Sequence, residues 1–208
     1  MPQRSPEWFA LRLGKLTASQ AADMLANGRG SAESTKRRDL RLKLAAERLT
    51  GRPDEGGYTN AHMERGIELE PAAHAAYEVH TGALVEEVGF LEHDELKAGC
   101  SPDGIVGDGL LELKAPKQAT HARYARTDSL IEDYRAQLTH ALWISGAPWI
   151  DIASYDDRYP ANAQLIVRRL HAADADLADY ETKVRAFLRE VELDVASIQG
   201  WRIIKGAA

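Results

Sequence analysis

The sequence has very little cysteine and no long apolar run. Cys100 is the only cysteine among 208 residues, which excludes an internal disulfide and a cysteine-ligated zinc or iron–sulfur site within these residues. No stretch approaches the roughly 18 apolar residues that span a bilayer. The first residues, MPQRSPEWFALRLGKL, lack the continuous apolar segment of a secretory signal. We therefore expect a cytoplasmic protein with no membrane partner.

Positive charge is concentrated near the start of the chain. The net charge is −6, yet residues 1–52 hold 11 Lys or Arg and 5 Asp or Glu, whereas the other 156 hold 15 and 27. Such a division suits a protein that meets a polyanion on one face. The alternative is a solvated basic helix around KRRDLRLK, which is the usual meaning of a charge run. Charge alone leaves both interpretations open.

Helical periodicity dominates both ends of the chain, and β-forming residues gather in its middle. With 44% hydrophobic and 28% charged residues, the composition is that of one globular domain. Helices are predicted at 34–50, 60–81, 117–127, 130–145 and from about 173 to 191; β-rich stretches are 83–93, the hairpin GIVGDGLLELK, 149–156 and 163–171. The order predicts an α/β fold with a mixed sheet of about five strands flanked by helices.

The stretch GCSPDGIVGDGLLELKAP, residues 99–116, places two acids and a lysine on this predicted hairpin. Glu112 and Lys114 share one face of their strand because side chains alternate. Asp103 lies across the Asp-Gly turn, so the hairpin returns it close to Glu112. Converging carboxylates repel each other unless a divalent cation lies between them, and Mg²⁺ prefers one or two carboxylates, waters and phosphate oxygens. The pattern P-D-x8-E-x-K therefore predicts a magnesium site with a lysine that can hold water or neutralise phosphate charge.

Each fragment of this pattern is common by itself. SPDG is typical of a type I turn, and ELK is too short to be specific. The alternative for the whole segment is an edge hairpin whose charges face solvent.

The segment resembles the metal-dependent nuclease signature of the PD-(D/E)xK superfamily. Three further stretches resemble the phage lambda exonuclease family, the YqaJ-type viral recombinases: WFALRLGKLTAS at 8–19, RGIELE at 65–70 and YRAQLTHALW at 134–143. The resemblance runs from about residue 5 to 170 in the same order, although 50–60 matches poorly. It implies a restriction-endonuclease-like core.

The resemblance implies a role for each matching residue of the catalytic centre. Asp103 and Glu112 match the metal ligands, with the carbonyl of Leu113 as a third. Lys114 matches the catalytic lysine, and Glu70 matches an additional acid that approaches the metals. The implied cofactor is Mg²⁺, two ions per active site, with Mn²⁺ as a substitute.

The resemblance also implies residues that bind DNA. The pocket for a terminal 5′-phosphate would comprise Arg12, Ser19, Ser101 and Gln137. Arg12 offers a bidentate fork, and the hydroxyl and amide groups offer neutral donors. Arg29 matches an arginine that follows the minor groove, and Met63 an apolar wedge that splits the first base pair. A free loop charge and an ordinary packing side chain are the respective alternatives.

The implied activity is that of an ATP-independent 5′-to-3′ exonuclease on double-stranded DNA, which releases mononucleotides and leaves a 3′ single-stranded overhang. The implied partners are duplex ends, two further copies of the chain in a homotrimeric ring, and a single-strand annealing recombinase. The setting would be the cytoplasm of a bacterium or a phage-infected host cell. We expect one nuclease domain over 1–208, with a helical DNA-end-binding part at about 1–58, a catalytic core at about 59–171 and a C-terminal helix at about 173–192.

Two rival functions stay open at this point. One is another nuclease on the same fold, an endonuclease or a 3′-directed enzyme, against which the four residues of the 5′-phosphate pocket argue. The other is a DNA-binding module without catalysis. The intact Asp, Glu and Lys set argues against it, because a pure binder gains nothing from clustered acids near phosphate.

Overall fold

The computed structural model describes residues 3–30, 32–53 and 61–200, without the side chains of residues 61–63. Within these residues the chain forms seven α-helices and seven β-strands, with short 3-10 helices at Ala18–Gln20, Ala161–Ala163 and Ala172–Asp174. The α-helices are α1 (Pro6–Arg12), α2 (Ala21–Met24), α3 (Thr35–Thr50), α4 (Ala61–Thr81), α5 (Gln118–Arg126), α6 (Ser129–Ser145) and α7 (Leu177–Gln199). The strands are β1 (Leu16–Thr17), β2 (Leu91–Glu92), β3 (Ala98–Cys100), β4 (Gly104–Val106), β5 (Gly109–Lys114), β6 (Trp149–Tyr155) and β7 (Leu165–His171).

The strands divide between two mixed sheets. The larger has four strands in the order β4-β5-β6-β7, in which β5 and β6 are parallel and the other neighbours are antiparallel. The smaller has three strands in the order β1-β3-β2, with β1 parallel to β3. The α/β prediction holds, but its single sheet of about five strands is replaced by these two. The strands β1 and β3 were missed because two or three residues are too few to show an alternating pattern.

Helices cover both faces of the four-stranded sheet. On one face, Leu110 packs in a buried cluster with Leu138 of α6. On the other, Leu111 packs with the fully buried Tyr77 of α4. Because side chains alternate along β5, Glu112 lies on the same face as Leu110, towards α6. Glu112 therefore points towards α6, the helix that contains the YRAQLTHALW segment.

A third core joins α2, α3 and α7, and a seam of ion pairs lies beside it. The pairs are Arg37 with Glu190, Arg41 with Asp194, and Arg48 with Glu192. Three of the four arginines of α3 therefore face acids of α7, 144 to 153 residues away in sequence. Neither interpretation of the basic run anticipated this seam, in which acids of the same chain neutralise part of its charge.

The N-terminal helical part is joined to the rest of the chain through the smaller sheet. Leu16 and Thr17 pair with Ala98 and Gly99. The predicted boundary at about residue 58 falls within 54–60, outside the described residues. In the described part of the chain, no helix is both long and apolar enough to cross a membrane.

Candidate active site at the β4–β5 hairpin

The predicted hairpin forms, and it brings Asp103 to Glu112. A two-residue turn at Gly107 and Asp108 joins β4 to β5, and Gly107 has a φ of 60°, which suits glycine. The amide of Asp103 donates to the carbonyl of Leu111 at 2.9 Å, so the pairing continues one residue beyond β4. This register sets Asp103 opposite Glu112.

Asp103 is anchored to the strand that carries the second acid. Its Oδ2 accepts a hydrogen bond from the amide of Leu113 at 2.6 Å. Burial, and then the charge of Glu112, raises the pKa of Asp103 to about 8. Because the two neighbouring carboxylates repel each other when both are ionised, a bound cation would stabilise their charged forms.

Lys114 and Gln137 complete the polar contacts of Glu112. Lys114 Nζ donates to Glu112 Oε1 at 2.6 Å, and Gln137 Nε2 donates to the same oxygen at 2.6 Å. Lys114 Nζ also donates to Gln137 Oε1 at 3.3 Å, and it lies 4.8 Å from the ring centre of Tyr134. Burial acts to lower the pKa of Lys114, but the charges of Glu112 and Asp103 outweigh it and raise the value.

A cleft of about 280 Å³ opens beside these groups. Its lining includes Asp103, Glu112 and Lys114 from the hairpin region, Glu70 from α4, and Arg4 from the segment before α1. Glu70 Oε2 accepts a hydrogen bond from Arg4 Nη2 at 2.5 Å. The structure therefore brings all four predicted catalytic side chains to one cleft and adds an arginine that sequence reasoning did not select.

The donor set at this cleft suits Mg²⁺. Two carboxylates, Asp103 and Glu112, and the carbonyl of Leu113 supply hard oxygen ligands, and Mg²⁺ takes one or two carboxylates while it keeps several waters. Within the described residues, no group of three or more His, Cys, Asp or Glu side chains is arranged to hold a metal. Waters and substrate oxygens would therefore have to supply the remaining ligands.

Arg12 and Ser101 lie together at a second polar site. Arg12 Nη1 donates to Ser101 Oγ at 3.4 Å, and its guanidinium lies 4.0 Å from the ring centre of Trp8. Trp8 Nε1 donates to the same hydroxyl at 2.9 Å. Burial lowers the pKa of Arg12 from its ordinary value, although an arginine keeps its charge at neutral pH. The result is a partly desolvated cation on an aromatic platform, well suited to bind an anion.

Ser19 leaves the smaller sheet at the same end as Ser101. Thr17 is opposite Gly99 in the parallel β1–β3 pair, and each serine follows two residues later. Ser19 is exposed, and its Oγ lies 3.4 Å from Thr17 Oγ1. Both predicted hydroxyl groups therefore follow the same end of the β1–β3 pair.

Gln137 is the member of the predicted phosphate pocket that the structure places elsewhere. The polar atoms of its side chain contact Glu112 and Lys114 of the predicted catalytic centre. Between the two sites in sequence, Cys100 is buried and directly precedes Ser101. Burial and the charge of Glu112 raise the pKa of the Cys100 thiol to about 12, while the charge of Arg12 opposes them.

The two predicted duplex contacts gain no structural support. Arg29 is exposed in the loop between α2 and α3. The side chain of Met63 lies outside the described residues. Their assignments stay predictions.

Sequence reasoning missed three residues at these sites, Arg4, Trp8 and Tyr134. Helical spacing offered a signal for two of them. Trp8 precedes Arg12 by four residues on α1, and Tyr134 precedes Gln137 by three on α6, so each pair shares a helix face. Arg4 gave no such signal, because its partner Glu70 is 66 residues away.

Comparison with known proteins identifies a family and a shared fold. A sequence model of the YqaJ-like viral recombinase domain matches residues 7–148. Crystal structures of LHK-Exo, an alkaline exonuclease from Laribacter hongkongensis, one of them in complex with dAMP, superpose with a TM-score of 0.85 and 40% identity, covering 94% of this chain and 96% of theirs. A phage-related exonuclease from Haemophilus somnus superposes with a TM-score of 0.70 and 14% identity over 88% of this chain and 96% of its own, which shows a shared fold. No curated protein matches.

The LHK-Exo superposition confirms the predicted restriction-endonuclease-like class of fold. The family model spans more than half of the chain, and a relative with 40% identity covers nearly all of it. The chain belongs to the YqaJ-like viral recombinase family.

Proposed function

We propose that the protein is a Mg²⁺-dependent exonuclease that degrades the 5′-ended strand of duplex DNA, releases mononucleotides and leaves a 3′ single strand. Membership of the family and the likeness to an alkaline exonuclease support the coarser statement, a nuclease that works in recombination. The observation that carries the proposal is the convergence of Asp103, Glu112 and Lys114 on one cleft.

The chain's own residues divide the catalytic work in this proposal. Asp103, Glu112 and the Leu113 carbonyl would hold the two Mg²⁺ ions. When bound, the ions supply charge neutralisation at the phosphodiester and a water that loses its proton readily. Lys114, held by Glu112, donates to the attacking water or to phosphate oxygens that gain charge in the transition state. Glu70 accepts a hydrogen bond from that water and so orients it.

The proposed 5′-to-3′ direction rests on the Arg12 site. A terminal phosphate carries more negative charge than an internal diester, so a partly desolvated guanidinium beside Ser101 would distinguish an end from a continuous strand. Ser19 would add a second hydroxyl group from the same end of the smaller sheet. Gln137 joins this role only by family resemblance, since its contacts are with Glu112 and Lys114.

A homotrimeric ring and a single-strand annealing recombinase as partner are part of the proposal. Their support is family resemblance alone, because the α3–α7 seam removes much of the basic charge that an enclosed DNA path would use. Light scattering that finds a monomer at micromolar concentration, together with intact processive digestion, would exclude the ring.

One assay tests the central proposal. Linear duplex labelled at either the 5′ or the 3′ end is incubated with and without Mg²⁺, beside covalently closed circular duplex as a control. We expect immediate release of the 5′ label as mononucleotide, late release of the 3′ label, no cutting of the circle and no reaction without Mg²⁺. Early release of the 3′ label would identify the opposite polarity, and cutting of the circle would identify an endonuclease.

A further inference from the structure

The segment before α1 is fastened beside the catalytic hairpin. Gln3 Nε2 donates to the carbonyl of Pro102 at 2.8 Å and to that of Val88 at 3.2 Å. Pro102 directly precedes Asp103. On the other side of Arg4, Ser5 caps α1 by accepting a hydrogen bond from the amide of Trp8. We call residues 3–5 the N-terminal strap; its anchors hold Arg4 in place over the cleft.

Arg4 has an unusual backbone conformation. Its φ is 67°, and it is the only non-glycine residue with a positive φ among those the structure describes. This left-handed region favours glycine, because a Cβ crowds the following carbonyl. Strained residues of this kind persist where the surrounding structure fixes them, and they gather at functional sites. A glycine would fit the strap with less strain, so an arginine at this position points to a use for its side chain.

The guanidinium of Arg4 lines the same cleft as the catalytic groups. It donates to Glu70 Oε2 at 2.5 Å, and its side chain is 44% exposed. A guanidinium has five N–H donors in a fixed fork. Only one of them is engaged in the part of the chain that the structure describes. The remaining donors can serve a ligand while the contact with Glu70 is kept.

Arg4 is one of only two cationic side chains in the lining of this cleft, and the other is Lys114. Lys114 is already paired with Glu112, so Arg4 is the cation whose donors are open to a phosphate. Oxygen atoms of a phosphate match the fork of an arginine better than the single point of a lysine. Arg12 is not a substitute, because it lies with Ser101 and Trp8 at the second site.

We propose that Arg4 binds the phosphate of the nucleotide in the catalytic cleft, both in the strand being cut and in the released mononucleotide, while it keeps its contact with Glu70. This inference rests on the proposed function, in that the cleft is taken to act on DNA. Arg4 would bind the phosphate at the bond that is cut, and Arg12 would bind the terminal 5′-phosphate.

Arg4→Gly removes the guanidinium and relieves the strained backbone together. The matched control is Arg38→Ala, which removes an exposed arginine of α3 whose partner is the neighbouring Asp39. Binding of dAMP in the presence of Mg²⁺ is measured by calorimetry, and KM and kcat are measured on 5′-phosphorylated and 5′-hydroxyl duplex at several salt concentrations.

For Arg4→Gly we expect a melting temperature equal to or above that of the wild type, with dAMP affinity reduced about tenfold or more. The KM for duplex should rise by a similar factor, and the salt dependence should weaken by about one phosphate contact. The preference of Arg4→Gly for phosphorylated over hydroxyl ends should persist. The dAMP affinity and KM of Arg4→Lys should lie between those of the wild type and Arg4→Gly. The same two quantities for Arg38→Ala should match the wild type.

The inference is overturned if the wild type does not bind dAMP, or if Arg4→Gly binds it equally well. It is also overturned if Arg4→Gly abolishes the preference between the two kinds of end, since Arg4 would then belong to the end pocket. Calorimetry tests the contact between Arg4 and dAMP directly, even if the protein does not digest DNA. Digestion by the wild type with the wrong polarity, combined with Arg4-dependent dAMP binding, would refute the proposed direction and leave the Arg4 contact standing.

Discussion

Lys114 is held between Glu112 and Gln137, with its Nζ 2.6 Å from Glu112 Oε1 and 3.3 Å from Gln137 Oε1. An ammonium group can only donate hydrogen bonds, and both partners are acceptors. The arrangement therefore keeps Lys114 as a protonated cation at the edge of the acid pair. It can donate to a water or to a phosphate oxygen, and it has no lone pair with which to act as a base.

The first prediction concerns the two acids. Asp103→Asn and Glu112→Gln, made separately, should each lower Mg²⁺-dependent cleavage by about a hundredfold or more, since loss of even an indirect metal contact costs 10- to 100-fold. The fold should survive, because each change removes repulsion between neighbouring carboxylates. Cleavage rates and melting temperatures of the metal-free proteins measure both effects.

Metal binding can be separated from cleavage in the same variants. Added Mg²⁺ should raise the melting temperature of the wild type, as any ligand of the folded state does, and this rise should shrink in both variants. Full Mg²⁺-dependent activity in either variant would show that the metal site is assigned to the wrong residues.

A second prediction separates two roles for Gln137. Its contacts place it with Glu112 and Lys114, so Gln137→Leu should lower kcat by roughly 10- to 100-fold on 5′-phosphorylated and 5′-hydroxyl duplex alike. A residue of the end pocket would instead affect phosphorylated ends more. A decrease in kcat that is confined to 5′-phosphorylated duplex would therefore show that Gln137 acts in the 5′-phosphate pocket.

The third prediction concerns the α3–α7 seam. Arg41 and Asp194 are about four-fifths buried and form an ion pair, so Arg41→Ala should lower the free energy of unfolding by about 1–2 kcal/mol. The KM for duplex DNA should not change, because the charge is used inside the protein. Chemical denaturation and steady-state kinetics measure the two quantities. A raised KM with unchanged stability would instead place α3 on the DNA.

Sequence reasoning succeeded where the determinants are local. The Asp108-Gly109 signal and the alternation along β5 predicted that Asp103, Glu112 and Lys114 lie together, although the turn itself falls one residue earlier, at Gly107 and Asp108. It failed where partners are distant in sequence. The strand pair β1–β3 joins residues about 80 positions apart, and no local pattern in α3 identifies α7 as its partner.

The contacts of Gln137 could not be predicted from the sequence either. Its family role was carried over by position, and position along a helix does not say which neighbouring groups a long side chain will contact. The contact of Arg4 with Glu70 was likewise invisible, because it depends on how the strap crosses the hairpin.

The last prediction is that Arg12 reads the 5′-phosphate. Arg12 lies on the ring of Trp8, contacts Ser101 and is partly buried, so a terminal phosphate would meet a cation that water screens poorly. A charge-assisted contact is stronger than a neutral hydrogen bond, which contributes about 1 kcal/mol. Loss of the guanidinium should therefore slow digestion of phosphorylated ends by about tenfold or more.

The decisive result for Arg12 is an interaction between variant and substrate. Arg12→Ala should impair phosphorylated duplex far more than hydroxyl-ended duplex, so that the difference between the two substrates narrows. Arg12→Lys keeps the positive charge but loses the bidentate guanidinium, so its ratio of rates on the two substrates should lie between those of the wild type and Arg12→Ala. Rates on both substrates, for the wild type and both variants under single-turnover conditions, measure this directly. If the wild type digests both ends equally, or Arg12→Ala slows both by one factor, the pocket is misassigned, and the proposed polarity loses its only physical argument.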